Sequence, residues 1–279
     1  MTSDKAGAAL MLGVNVVLLV AAPAFAADSS PWDGNQRAAV RLIAGAAQTD
    51  GNAPIHRAGI EIRLAPGWKT YWRYPGDSGI PPRFDFSGSR NVKAATVRWP
   101  APQRLTDEGG TSIGYKHDVV FPLDVVAQDA TKPVVLALKI DYAVCEKLCV
   151  PADGKAELTL TGKPGEHDGK LAQSAKLVPQ PAKISADGAF SVRAAKREGS
   201  RITIDVAAPA GAPVELFAEG PAPEWALPVP SPVAGAPAGQ QRFVFELDGL
   251  PPDTKPEGAT LKLTVVAGEQ AIEVGYRLD

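Results

Sequence analysis

Cys145 and Cys149 are the only cysteines of a 279-residue chain, and they stand in the stretch DYAVCEKLCVPADG, residues 141–154. Two thiols this close support three chemistries. As a disulfide they can staple a fold, and as a cycling dithiol/disulfide they can exchange electrons with a partner's cysteines. As two thiolates they can hold a soft ion such as Cu(I). A closed zinc site needs four ligands, and His56, His117 and His167 do not stand at a spacing that completes one. No cofactor is expected, and no metal unless Cu(I) binds the cysteines themselves.

The spacing constrains the backbone. In an extended strand, positions i and i+4 lie about 13 Å apart, whereas a disulfide needs Cα atoms roughly 4.4–6.8 Å apart. The segment Glu146-Lys147-Leu148 must therefore turn if the cysteines pair, which puts them at a strand end. Pro151 suits such a position because it cannot donate in a sheet ladder. Lys147 would favour a nearby thiolate and Glu146 would oppose it. A ring of about five residues stabilises a fold by only about 2 kcal/mol in the chain-entropy model. A tight, partly exposed disulfide is also the reducible kind. A redox couple, a structural staple and a Cu(I) ligand pair all remain open on these residues.

Compartment bears on the choice. Lys5 precedes an uncharged run, Ala6 to Val20, which is followed by Ala-Ala-Pro-Ala-Phe-Ala-Ala with Ala24 and Ala26 at the −3 and −1 positions. This is the pattern of a secretory signal peptide, residues 1–26, and predicts export to a bacterial periplasm. No later run is long and apolar enough to span a bilayer, which takes about 20 residues, so no membrane insertion is expected after cleavage. The formal net charge is −2. With no basic cluster interleaved with aromatics, nucleic acid is not an expected partner.

The elements that must position the cysteines are strands. GIEIRL (59–64), FDF (84–86), VKAATVRW (92–99), VVFPLDVVA (119–127), PVVLALKIDYAV (133–144) and KAELTLTG (155–162) carry strand patterning, with turn-rich stretches such as YPGDSGIPP (74–82) between them. In GIEIRL the alternation assigns Glu61 to a polar face. Over 166–182 the pattern changes to a short helix: Asp168 is placed as its cap, Leu171, Ala175 and Val178 on one side, and Pro179 and Pro181 as its stop. A second strand series follows in RITIDVA (201–207), PVELFAE (213–219), QRFVFELDG (241–249), ATLKLTVVAG (259–268) and AIEVGYRL (271–278). The Pro- and Ala-rich residues 221–241 are expected to form a long surface loop. The resulting expectation is an all-β protein of two immunoglobulin-like β-sandwich domains, 27–165 and 183–279, joined by a helical connector at 166–182.

Four motifs in one order, PGWKTYWRYPGDSG (66–79), VRWPAPQRL (97–105), IGYKHDVVFPLDV (113–125) and IDYAVCEKLCVP (140–151), resemble the N-terminal periplasmic domain of the DsbD thiol:disulfide interchange family. The closer likeness is to its ScsB-type members, associated with copper tolerance. The likeness spans about residues 37–162, and LFAEGPAPEW (216–225) extends it to the second ScsB-type β domain.

The resemblance implies thiol–disulfide exchange of the protein-disulfide-reductase type. Cys145 and Cys149 would be the redox pair, with Cys149 forming mixed disulfides and Cys145 resolving them. It also implies a cap loop, here LTDEGGTSIGY (105–115), with Asp107 and Glu108 as its acidic pair. DsbD places an aromatic shield after those acids, where this chain has Gly109 and Gly110. Tyr115, or Trp72 and Tyr74, are the candidates to cover the sulfurs instead, with core packing as the alternative use of these rings. The family fuses this module to a membrane domain and a thioredoxin domain, and this sequence shows neither. A stoichiometric relay is therefore expected to need thioredoxin-fold periplasmic proteins and a separately encoded membrane electron donor as partners. The alternatives are a binding or adaptor module with a structural disulfide and a Cu(I)-binding copper-tolerance protein.

Overall fold

Side chains of a strand alternate between two faces, so a chain built from runs of alternating polarity folds by stacking sheets on their apolar sides. The computed structural model of this protein does so; it describes residues 27–50, 53–107, 110–185 and 187–279. The expected signal sequence, 1–26, lies outside them. Before the helix come β1 (Asp33–Gly34), β2 (Ala38–Ala44), β3 (Gln48–Asp50), β4 (Ala53–Leu64), β5 (Lys69–Gly76) and β6 (Arg83–Asp85). They are followed by β7 (Val92–Val97), β8 (Gln103–Asp107), β9 (Gly110–Tyr115), β10 (Val119–Ala127), β11 (Val134–Cys145) and β12 (Cys149–Leu160). Helix α1 spans Asp168–Lys176. After it come β13 (Gln180–Pro181), β14 (Ser191–Glu198), β15 (Arg201–Ala207), β16 (Val214–Glu219), β17 (Ser231–Val233), β18 (Gln240–Glu246), β19 (Thr260–Ala267) and β20 (Gln270–Arg277).

These strands form four sheets. The first is ordered β1-β2-β4-β10-β7 with β3 on β4, and the second β12-β11-β5-β9-β8 with β6 on β11. Their inner faces enclose a core that includes Leu42, Ile60, Ile62, Trp72, Phe121 and Val144. After α1, sheets β13-β20-β19-β16 and β14-β15-β18-β17 enclose a second core around Ile204, Leu216, Phe243 and Leu263. The all-β sandwich architecture is the expected one. Among the described residues no helix is long and apolar enough to cross a membrane.

Several local expectations change. Asp168 is the first helical residue, and His167 holds the capping position without a side-chain bond. The Asp168 carboxylate instead accepts from the backbone N–H groups of Ala46 (2.7 Å) and Gly165 (2.8 Å), tying the helix start to the first sheet. Leu171 packs on Ile43 and Val120. It fits because Gly59 leaves room: a Cβ there would lie 2.8 Å from a Leu171 methyl. Glu61, assigned to a polar face, is 4 % exposed and is met by Arg41 (2.7 Å) and Lys170 (2.6 Å). The helix covers what would otherwise be the solvent side of that strand. In the 221–241 segment, Trp225 and Leu227 plug the second core and Ser231–Val233 adds an edge strand to β18. Composition hides such anchors because each needs only one well-placed apolar side chain.

The segment 105–115, expected as a cap loop, is a β-hairpin in which β8 pairs with β9 down to Asp107 opposite Gly110. Its β9 strand lies against β5, and Gly114 makes that approach possible, since a Cβ there would fall 2.0 Å from the Thr70 carbonyl oxygen. Glu108 and the Asp107 side chain lie outside what the structure describes.

Candidate functional site: a disulfide at a hairpin end

Strands β11 and β12 pair without a break from Val134 opposite Leu160 to Cys145 opposite Cys149. The three residues between the cysteines form the turn, as the spacing requires, and the cysteines close it as a disulfide with Cα atoms 4.1 Å apart. The two sulfurs are not equivalent. Cys145 is 2 % exposed, while Cys149 is exposed, as are Glu146, Lys147 and Leu148 before it. Leu148, at 75 %, leads the exposed large apolar side chains among the described residues, and Ile80, at 53 %, comes next.

On its other side β11 pairs with β5, with Cys145 opposite Lys69 and Val144 opposite Thr70. The Thr70 hydroxyl donates to the Ala143 carbonyl (2.9 Å) and locks that register. Parity then decides which side chains meet the sulfurs. Tyr142 and Val144 point into the sandwich core, so Ala143 and Cys145 face outward, where they cluster with Tyr71. The Tyr71 hydroxyl lies 2.7 Å from Cys145 Sγ and 3.1 Å from Cys149 Sγ. Disulfide sulfurs carry no proton, so the tyrosine is the donor to both. Gly79 rests on its ring, in a left-handed conformation (φ 126°) with room for no Cβ: one would lie 2.3 Å from the ring. Ile80 follows the glycine that seats Tyr71, and Leu148 stands in the turn next to Cys149, so both exposed apolar residues belong to segments that meet at Tyr71 and the cysteines. Beside the turn, a cavity of about 300 Å³ is lined by Gly67, Lys69, Thr106, Lys116, His117 and Glu146.

The aromatics expected over the sulfurs are elsewhere. Tyr115 is buried, stacks edge-on with Phe121 (5.5 Å) and donates to the Pro100 carbonyl (2.9 Å). Trp72 and Tyr74 lie one strand position out of phase with Tyr71 and enter the core. Trp72 packs on Phe217 from the second half (6.0 Å), and Tyr74 donates to the Leu227 carbonyl. Between them Arg73 pairs with Glu219 (2.7 Å) and with Glu273. Burial pushes the Tyr74 hydroxyl up to about 12, with Asp77 and Glu219 adding to it, and burial raises Tyr115 well above its ordinary value against the opposing charge of Arg73. Both stay protonated and act as structural donors. The motif YWRY thus joins the two halves of the chain, and the residue that meets the sulfurs is Tyr71, which the sequence reading passed over. The alternation along β5 was available as a signal; the register of β5 against β11 was not.

A sandwich presenting a solvent-reachable disulfide at a hairpin end defines a class: an all-β module carrying a single exposed cystine. Residues 39–161, which hold both cysteines, match the family model "Thiol:disulfide interchange protein DsbD, N-terminal", and this part of the chain is a DsbD N-terminal-like domain. The fold of nearly the whole chain is shared with the crystal structure of the N-terminal periplasmic domain of ScsB from Proteus mirabilis. That match has a TM-score of 0.71 and 21 % identity, and covers 90 % of this chain and 98 % of the other. A comparison with curated proteins found no match.

Proposed function

We propose that the protein is a periplasmic thiol–disulfide exchange module in which Cys149 is the contact sulfur and Cys145 the resolving one. The observation that carries this reading is the asymmetry of the pair, an exposed Cys149 joined to a buried Cys145. Exchange needs in-line access to one sulfur and a leaving thiolate on the other. A partner thiolate attacks Cys149 Sγ, the Cys145–Cys149 bond breaks, and Cys145 leaves as a thiolate beside the Tyr71 hydroxyl. A second partner thiolate then attacks the mixed disulfide, and Cys149 departs with the pair reduced. In reverse, the Cys149 thiolate attacks a client disulfide and expels one client thiolate. Cys145 then attacks Cys149 Sγ, which re-forms the internal disulfide and releases the client as a dithiol. Electrons and sulfurs balance in both directions.

The family match supports thioredoxin-fold proteins as partners, with a membrane electron donor upstream of them. Leu148 and Ile80 offer the apolar contact such docking uses, and the cations Lys69 and Lys116 beside the turn favour an approaching thiolate. The test is a Cys145→Ala variant, which leaves Cys149 able to form mixed disulfides that cannot resolve. Periplasmic extracts should then yield a covalent adduct with a thioredoxin-fold protein, absent from Cys149→Ala. Failure of both variants to capture a partner, together with a reduction potential below about −300 mV where structural disulfides sit, would leave the pair as a staple in a binding module.

A further inference from the structure

We propose that Asp28, Glu166 and His167 form a binding site for a first-row divalent metal ion of the Zn(II) or Cu(II) kind, separate from the disulfide. Asp28 lies 138 positions before Glu166 and His167 follows Glu166 directly, and backbone hydrogen bonds bring the three together. The Asp28 carbonyl accepts from Ala44 N–H (2.7 Å), which fastens the N-terminal segment to β2. Asp28 Oδ2 accepts from Glu166 N–H (2.8 Å), and Gly165 permits that approach, since a Cβ there would lie 2.6 Å from the carboxylate. The other carboxylate oxygen, Oδ1, is left 3.8 Å from His167 Nε2, and Glu166 Oε1 is 3.0 Å from the same nitrogen. The ligand atoms of all three residues lie within 4.8 Å of one another.

His167 gives the independent sign that the cluster is built for a ligand. Its side chain is 8 % exposed, yet Nε2 is a buried atom with no hydrogen-bond partner. The ring does not direct an N–H at Glu166 despite the short separation, so the pair is not a hydrogen bond. Buried polar atoms of native proteins are nearly always satisfied, and this one faces two carboxylates. Bonds of about 2.0–2.1 Å to N and O donors in a tetrahedron give donor–donor edges of about 3.3 Å. The separations of 3.0 and 3.8 Å bracket that edge. One imidazole with two carboxylates suits borderline divalent ions and not soft Cu(I). A fourth position would be left for water. The helix that His167 caps packs on β4 and β10 of the first sheet, whereas the disulfide belongs to the second. A bound ion would clamp the N-terminal segment to the start of α1.

The test is calorimetric titration of the oxidised protein with Zn(II), the intact disulfide keeping both thiolates out of the ligand set. One saturable site per chain is expected, with a raised melting temperature, because an ion that binds only the native state stabilises it. His167→Gln keeps the backbone cap, and Asp28→Asn keeps a carbonyl for Glu166 N–H. Each should weaken binding at least tenfold and abolish the thermal shift while the far-UV circular dichroism is unchanged. Absence of a saturable site in the parent, or parental affinity in His167→Gln, overturns the proposal. If His167→Gln does not fold, parental affinity in Asp28→Asn does so.

Discussion

Replacing Tyr71 with Phe removes one oxygen from the site and keeps the ring. The ring is 1 % exposed and seated under Gly79, so Phe occupies the same volume and the oxidised protein should keep its stability within about 1 kcal/mol. The lost hydroxyl is the donor 2.7 Å from Cys145 Sγ. Against a neutral disulfide sulfur such a bond is worth at most about 0.5–1.5 kcal/mol, and against a charged acceptor about 1.5–3. As Cys145 departs as a thiolate, the interaction strengthens by roughly 1–1.5 kcal/mol. A factor of ten in rate is about 1.36 kcal/mol, so Tyr71→Phe should slow reduction of the disulfide about five- to tenfold. The assay is the pseudo-first-order rate of reduction by dithiothreitol, a reagent too small to depend on partner docking. The pH dependence of Cys145 alkylation in the reduced protein should show its thiol titrating higher in the variant. A variant folded as the parent and reduced at the parental rate would refute the role given to the hydroxyl.

Two further outcomes follow from the packing. Converting both cysteines to Ser should leave the protein folded, with urea denaturation showing a loss of no more than about 2 kcal/mol, because the ring closed is so short; a loss near 5 kcal/mol would mark the disulfide as a staple. Glu61→Gln should destabilise by roughly 1–3 kcal/mol at neutral pH, as buried ion-pair hydrogen bonds are lost from Arg41 and a half-exposed Lys170. Burial pushes the Glu61 carboxyl up, but the bonds from Lys170 and Arg41 prevail and hold it below the ordinary glutamate value. A depressed folded-state value means stability present above the unfolded-state value and lost as pH falls through the folded one. The parent should therefore lose more stability on acidification than Glu61→Gln, and parallel curves in acid urea titrations would contradict the assignment.

Strand patterning is a local property, and most strands were legible for that reason: Val119–Ala127 was expected with the bounds it has, and Val134–Cys145 nearly so. The turn at Glu146-Lys147-Leu148 was legible too, because four residues cannot bring two cysteines into bonding range without one. Strands such as Ala38–Ala44 were missed where both faces are buried and alternation vanishes. Residues 105–115 read as loop because Gly109 and Gly110 mark a turn without saying how far the pairing around it extends.

What the sequence determined by itself was the inventory: one cysteine pair, strand-rich segments on both sides of a helix, and motifs shared with a redox family. What only the tertiary structure decided was which side chains meet. Cys145 faces outward and is buried by Tyr71, while Cys149 stays open to solvent. Trp72 and Tyr74 turn inward to join the two halves of the chain. Asp28 comes to His167 from the far end of the sequence. Neighbours along a strand follow from its period, but neighbours across strands follow from register, and a slip of one residue exchanges the two faces. That register is set by the core as a whole, which no short stretch of sequence contains.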